Sequence, residues 1–144
     1  MFELVTYKMN ININIPIEVT CAVIVNENQQ ILAVRRGPEM QMPFKWEFPG
    51  GKIEQDETEE DCIIREIIEE LSIKISIIRR LEQNVHHYDS VSICLIPFLC
   101  TISEGEIVLS EHDRLCWLPK EKLLTLDWAE ADIPIVKEVQ KLLL

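Results

Sequence analysis

Apolar residues recur along the chain with two different periods, and each period predicts a different kind of element. Alternating asparagine and isoleucine over residues 10–17 and a more continuous apolar run over 18–25 predict two strands. Further strands are predicted at residues 31–35, 74–85, 90–102 and 117–119. The tract HHYD at 86–89 is predicted to be a loop. Spacings of three and four residues predict one helix from Glu59 and another over 132–144, and this mixture of elements indicates an α/β protein.

The helix that begins near Glu59 is predicted to bury one apolar face. At about 100° per residue its apolar positions fall on one side, and they are Ile64, Ile67, Ile68 and Leu71. Thr58 can cap the first turn, and Asp61 completes a capping box. The closing helix repeats this spacing at Ile135, Val139, Leu142 and Leu143.

Three glutamates, Glu66, Glu69 and Glu70, are predicted to project together from the other side of the first helix. Like charges four residues apart destabilise an isolated helix by about 0.2–0.5 kcal/mol, and the helix dipole disfavours anions near the C-terminal end. Only Arg65 offers local compensation. A charged face in contact with solvent is the alternative explanation. Because both the charge repulsion and the helix dipole oppose this grouping of carboxylates, a site for a hard divalent cation, Mg²⁺ or Mn²⁺, explains it better.

Length and charge narrow the class of protein. A chain of 144 residues with 47% hydrophobic residues suits one domain with a substantial core. The formal net charge of −11 argues against a protein that holds nucleic-acid polymers, because such proteins neutralise phosphates with basic patches. A small polyphosphate remains possible, since cations can bridge it to an acidic site.

The cysteines and the apolar runs indicate in which cellular compartment the protein is expected. Five cysteines form no CxxC pair, which predicts reduced and mostly buried thiols rather than a zinc site or a disulfide set. The start of the chain lacks the features of a signal peptide, and no apolar run approaches the roughly 20 residues that span a bilayer. A cytoplasmic protein that does not bind membranes is therefore expected.

Residues 51–73 resemble the Nudix box of nucleoside-diphosphate-linked hydrolases. The matching positions are Gly51, Glu57, Arg65, Glu66, Ile67, Glu69, Glu70 and Ile73. The family pattern has glycine where this chain has Ser72, just past the predicted helix end, a place that favours glycine because it accepts the left-handed conformation. Serine there costs about 1 kcal/mol and removes no charged group. The departure therefore concerns the local backbone and not the acidic residues.

The resemblance covers about residues 18–144 and lies with the MutT-like and CTP-hydrolysing branch. It implies an α/β/α sandwich with a mixed sheet, formed by a single domain over 1–144. Within it, residues 1–17 would be an N-terminal extension and first strand.

The resemblance also implies the metal site and its chemistry. The implied ligands of Mg²⁺, or of Mn²⁺, are the Gly50 carbonyl and the carboxylates of Glu66, Glu69, Glu70 and Glu111. Either Glu66 or Glu111 would be the general base that activates water. Arg65 is expected to orient Glu57 or Glu69 rather than to touch the substrate. For Glu111, a solvated loop glutamate is the alternative.

Substrate-binding residues are expected on both sides of the box. One of Arg35 and Arg36 is predicted to pair with phosphate oxygens, and Lys52 is implied to lie near the phosphates. Asp132 falls where MutT-like enzymes place a residue that reads the base edge. Asp132 could instead simply cap the closing helix. For the arginines and Lys52, surface solvation is the alternative.

Together these features predict a Mg²⁺-dependent hydrolase that converts a nucleoside triphosphate to a monophosphate and pyrophosphate, as a monomer or homodimer. Candidate substrates are 8-oxo-dGTP and CTP- or dCTP-type nucleotides. Hydrolysis of another nucleoside diphosphate derivative, such as ADP-ribose or a nucleotide sugar, is one alternative. A domain that binds nucleotides without cleaving them is the other.

Overall fold

The computed structural model describes residues 15–144, so most of the strand predicted over residues 10–17 lies outside the described residues. In the described range the strands are β1 (Ile17–Ile24), β2 (Gln30–Arg35), β3 (Trp46–Glu47), β4 (Gly50–Lys52), β5 (Lys74–Arg80), β6 (Asn84–His87), β7 (Ser92–Glu104) and β8 (Arg114–Pro119). The helices are α1 (Glu59–Leu71) and α2 (Ile133–Gln140). Short 3₁₀ helices lie at Lys120–Thr125 and Glu130–Asp132.

The strands form two sheets. The larger has the order β4-β1-β7-β5, with β6 also paired to β7. Because β1 and β7 run parallel while the other pairs are antiparallel, the predicted mixed sheet is confirmed. A second, antiparallel sheet has the order β3-β2-β8. The sequence did not indicate that the strands would divide in this way.

Strand β1 is buried on both faces and so marks the middle of the sandwich. Cys21 and Val23 join an apolar cluster that also contains residues of α2. Ala22 and Ile24 join a second cluster, which contains Ile63, Ile67 and Leu71 of α1. Since successive side chains of a strand point to opposite faces, the two helices cover the strands from two sides. The predicted α/β/α arrangement is confirmed.

Helix α1 begins where the sequence predicted, but its buried face is different. The Thr58 hydroxyl oxygen accepts a hydrogen bond from the backbone N–H of Asp61 at 3.0 Å. The buried residues of the helix are Cys62, Ile63, Ile67 and Leu71. Ile68 is 43% exposed, so its predicted place in the core was wrong. It follows Ile67 by one residue and is therefore turned by about 100° away from the buried row.

Ser72 ends α1 in the left-handed conformation, with φ at 60°, and its N–H donates to the Ile68 carbonyl at 3.0 Å. Glycine accepts this conformation without the clash that a Cβ causes, so Ser72→Gly should raise the free energy of unfolding by about 0.5–1 kcal/mol. Urea denaturation measures the change. Ser72→Ala is the matched control, because it keeps the Cβ and should give no gain. Equal stabilisation by alanine would contradict the explanation.

Three other element predictions were wrong. His86 and His87 do not lie in a loop but in β6, because β7 has 13 residues and pairs in succession with β5 and β6. For the same reason the strand predicted over 74–85 is broken into two. Helix α2 ends at Gln140, and Leu143 is 97% exposed instead of buried, whereas Leu142 packs against the core.

The cysteines agree with their prediction. All five are free thiols, and four of them are buried. Burial raises the pKa of the Cys100 thiol to about 12. Among residues 15–144, no helix is both long enough and apolar enough to cross a membrane.

Candidate active site

A cleft of about 280 Å³ lies where β1, β3 and β4 meet α1 and the segment before α2. Its acidic and basic side chains are Arg36, Glu47, Lys52, Glu70 and Asp132. Gly50 also lines it. The structure therefore brings together five residues that the sequence analysis predicted for the site, and adds Glu47. Carboxylates and cations that share one cleft suit a polyphosphate bridged to protein by a metal ion.

The sequence predicted that Glu66 and Glu70 would lie opposite the apolar face of α1, but in the structure they do not. They belong to a row of side chains spaced four residues apart, which starts at Cys62. This row lies next to the buried row formed by Ile63, Ile67 and Leu71. Both glutamates are therefore partly buried, whereas the Glu69 side chain is 59% exposed. The box carboxylates thus differ in how far each is removed from water.

Glu70 has the most unusual surroundings of the three box glutamates. Burial, followed by the charges of Glu47 and Glu66, raises the pKa of its carboxyl group to about 9. A backbone hydrogen bond from Gly50 acts in the opposite direction. Its Oε2 atom is buried and has no hydrogen-bond partner within residues 15–144. A buried acceptor without a partner is costly, and a bound cation would supply one.

Arg65 is surrounded by carboxylates. Its Nε and Nη2 atoms donate to Glu57 at 2.7 and 3.0 Å, and its Nη1 donates to Glu66 at 2.9 Å and Glu69 at 3.2 Å. The bond from Arg65 holds the pKa of the Glu57 carboxyl at about 2. Nη2 also donates to the Lys52 carbonyl at 3.2 Å. Because its donors are taken by protein groups, Arg65 suits the predicted orienting role, which stays a prediction.

The chemical type of the available ligand atoms suits a divalent cation. Mg²⁺ and Mn²⁺ prefer carboxylate oxygens, and Glu70 offers one that no other group in the described part of the chain binds. A Cβ at Gly51 would overlap the Glu66 carboxylate, so glycine there lets β4 approach the helix. As the side chains stand in residues 15–144, no three His, Cys, Asp or Glu side chains converge closely enough to hold one ion. Ligation by three of these carboxylates would therefore require some of them to change rotamer.

Glu111 lies between β7 and β8, in a depression that it shares with Arg36 and Gln41 beside the cleft. Its side chain is exposed, yet its charge contributes to the raised pKa of Glu70. A Cβ at Gly37 would overlap the Glu111 carbonyl oxygen, so the two loops are in close contact. The structure thus brings Glu111 near the box, and its role stays a prediction.

The two adjacent arginines face different surroundings. Arg36 lines the cleft and donates to Glu47 Oε1 at 2.7 Å. Arg35 does not line it. Its guanidinium forms a two-bond pair with Asp113, at 2.8 and 2.6 Å, and lies 5.2 Å from the Phe44 ring centre. Only Arg36 of the pair therefore lines the cleft. Lys52 also lines the cleft, with an exposed side chain.

Asp132 does not use its side chain to cap α2, although it occupies the N-cap position. Its Oδ1 instead accepts a hydrogen bond from the Phe48 N–H at 2.9 Å. The residue is buried in the wall of the cleft, and burial followed by the charge of Glu47 raises the pKa of its carboxyl well above the usual value. Of the two readings of Asp132, the structure does not support side-chain capping.

Two residues at the site, Glu47 and His112, were not predicted from the sequence. The two side chains meet, with His112 Nε2 2.8 Å from Glu47 Oε2, although 65 residues separate them. Glu47 directly precedes the FPGG turn, so an acid within that short strand was the available signal. His112 offered no periodicity or motif. Its burial follows only from how the loop folds over the sheet.

The fold and this cleft define a hydrolase of the Nudix class. A family model described as the NUDIX domain matches residues 16–139, and the chain belongs to the Nudix family. CTP pyrophosphohydrolase of Escherichia coli (strain K12) is 31% identical over 121 residues, covering 84% of this chain and 89% of that protein. The 8-oxo-dGTP diphosphatase of the same strain is 31% identical over 126 residues, covering 88% and 98%.

A solved structure supports the same placement. The crystal structure of the MutT protein from Methanosarcina mazei Go1 superposes with a TM-score of 0.80 at 25% identity, covering 89% of this chain and 96% of that one. The chain is therefore a MutT-like Nudix hydrolase.

Proposed function

We propose that this protein hydrolyses nucleoside triphosphates to nucleoside monophosphates and pyrophosphate, with Mg²⁺ or Mn²⁺ as the cofactor. The observation that carries the proposal is Glu70. Its buried Oε2 atom has no hydrogen-bond partner within residues 15–144, and other carboxylates lie near it in a cleft that also contains Arg36 and Lys52. A carboxylate group of this kind suits a divalent cation, and the two cationic side chains suit phosphate oxygens.

The reaction is the addition of water across a phosphate anhydride. The bond between the α- and β-phosphates breaks, the oxygen of water ends on one product, and its proton passes to a base. Glu66 or Glu111 is the candidate base. A bound divalent cation supplies charge neutralisation and polarises phosphate oxygens. Arg36 and Lys52 bind and orient the phosphates, while Arg65 keeps Glu57 in place.

Two relatives suggest the substrate class. One is named for CTP and the other for 8-oxo-dGTP. We infer a role in removing unwanted nucleotides from the pool, with CTP- or dCTP-type nucleotides and 8-oxo-dGTP as the first candidates. Small nucleotides, and not nucleic-acid polymers, fit the net charge of −11. The five free thiols fit a reducing compartment, and we propose a cytoplasmic location.

A panel of nucleotides tests the proposal. Initial rates with Mg²⁺ should be highest for nucleoside triphosphates and low for ADP-ribose and nucleotide sugars. Preference for a diphosphate derivative would make the first alternative correct. Binding of nucleotides without turnover of any member would favour the non-catalytic alternative.

Asp132 is expected to help choose the base. Because Oδ1 of Asp132 accepts from the Phe48 N–H, its other oxygen can accept a hydrogen bond from a base edge. Asp132→Asn replaces that oxygen with an amide nitrogen that only donates, so it should reorder the ranking of nucleotides by kcat/KM without lowering Tm. Kinetics on the panel and a thermal melt measure both. An unaltered ranking would remove Asp132 from base recognition.

A further inference from the structure

We propose that His112 is a positioning residue, which holds Glu47 and, through it, Arg36 beside the Glu111 segment. The role rests on the proposed function, because it concerns how that site is kept in order. His112 does not line the cleft and is not expected to touch the substrate.

The segment that carries His112 is tied to the protein on both sides. The N–H of Ser110 donates to the Glu70 carbonyl at 3.1 Å, and the N–H of Asp113 donates to the Arg35 carbonyl at 3.1 Å. Between these two points Glu111 is exposed, while the His112 side chain has no exposed surface. The segment therefore presents one side chain outward and uses the next as its internal anchor.

The His112 side chain forms a hydrogen bond with a carboxylate that lines the cleft. His112 Nε2 lies 2.8 Å from Glu47 Oε2, and because a carboxylate oxygen accepts, the imidazole donates. The other oxygen of Glu47 accepts from Arg36 Nη1 at 2.7 Å. Arg36 in turn donates through Nε to the Gln41 carbonyl. A continuous chain of hydrogen bonds thus joins the Glu111 segment to the loop after β2 across the cleft.

His112 is a poor choice for filling space alone. Its Nδ1 atom is buried and has no partner within residues 15–144. An unpartnered buried polar atom costs about 1–3 kcal/mol, so an apolar side chain of similar size would suit a purely structural position better. What the imidazole provides here, and an apolar side chain cannot, is the hydrogen bond to Glu47.

That hydrogen bond matters because of where Glu47 sits. It lines the same cleft as Glu70 and Asp132, and its charge contributes to the raised pKa of both carboxyl groups. With both oxygens bound, Glu47 is held in one orientation and keeps Arg36 beside the cleft. Without His112, one oxygen would be released into a cleft where a cation and phosphates are to bind.

The test compares His112→Gln with His112→Met, two side chains of similar size, of which only glutamine can donate to Glu47. The methionine variant should lower kcat about 10–100-fold and weaken Mn²⁺ affinity by a similar factor, with KM changed less, as expected for residues that orient metal ligands. The glutamine variant should stay within about threefold of wild type. Calorimetric titration with Mn²⁺ alone gives a readout that does not depend on turnover.

The control is His86→Met, since His86 also faces a glutamate, Glu130 at 3.2 Å, but outside the cleft, and should change neither quantity. Equal values for the glutamine and methionine variants would overturn the proposal, because packing alone would then explain His112. If the methionine variant does not fold, His112→Asn, too short to reach Glu47, takes its place with the same expectation. A wild-type protein that binds Mn²⁺ but hydrolyses nothing would refute the proposed function, whereas the Mn²⁺ comparison would still decide the role of His112.

Discussion

Replacing Glu70 with glutamine should lower kcat by about two orders of magnitude or more while making the metal-free protein more stable at neutral pH. Glutamine keeps the shape of the side chain and an oxygen that accepts from Gly50. It removes the charge that a divalent cation needs. Loss of activity together with a gain of stability separates a functional carboxylate from a structural one.

The gain in stability follows from the pKa of Glu70. Its carboxyl has a pKa of about 9 in the folded protein against a usual value of 4.5. Between these values the folded state binds more protons than the unfolded state, so the stability of the metal-free protein falls as the pH rises from about 4.5 to about 9. Glu70→Gln should remove this slope and add on the order of 1–3 kcal/mol at pH 7.

Thermal melts in EDTA at several pH values, paired with steady-state kinetics in Mg²⁺, measure both effects. Glu69→Gln is the matched control. It should also lower kcat by orders of magnitude, but because the Glu69 side chain is 59% exposed, it should leave the pH dependence of stability as in wild type. Near-normal rates in both variants would show that the metal-site assignment is wrong.

Glu111→Gln should slow turnover about 100-fold, and lower kcat more than it raises KM. This is the pattern of an interaction made mainly in the transition state. The structural reason is that Glu111 lies outside the box in sequence but beside it in space, where its charge reaches Glu70. Steady-state kinetics with saturating Mg²⁺ provide the measurement.

Glu106→Gln is the control for Glu111, because Glu106 is an exposed glutamate of the same connection between strands. It should behave as wild type. An unchanged kcat in Glu111→Gln would show that Glu111 is a solvated loop residue and would leave Glu66 as the candidate base.

The box and its helix could be predicted from the sequence because their signals are local. The cap at Thr58, the extent of α1 and the spacing of Glu66, Glu69 and Glu70 all depend on residues within a few turns of each other. What failed was the angular position of the acids. The buried face is rotated from its predicted position, because it includes Cys62 and Ile63 and leaves out Ile68, and Glu66 and Glu70 therefore lie at its border.

The remaining parts of the site depend on contacts between distant segments. The sequence predicted that one of Arg35 and Arg36 would meet phosphates, but only the pairing of Arg35 with Asp113 in the folded protein shows that Arg36 is the one that lines the cleft. The pair of Glu47 and His112 joins residues 65 positions apart and has no local pattern. The acidic residues of the box can therefore be predicted from the sequence, whereas the side chains that hold the cleft in shape cannot.

The most direct test of the central claim is ³¹P NMR of the purified protein with CTP and with 8-oxo-dGTP, first in Mg²⁺ and then after excess EDTA. The account predicts that nucleoside monophosphate and pyrophosphate appear in equal amounts and that the reaction stops on chelation. Release of orthophosphate as the first product, or hydrolysis that continues at the same rate in EDTA, would contradict it.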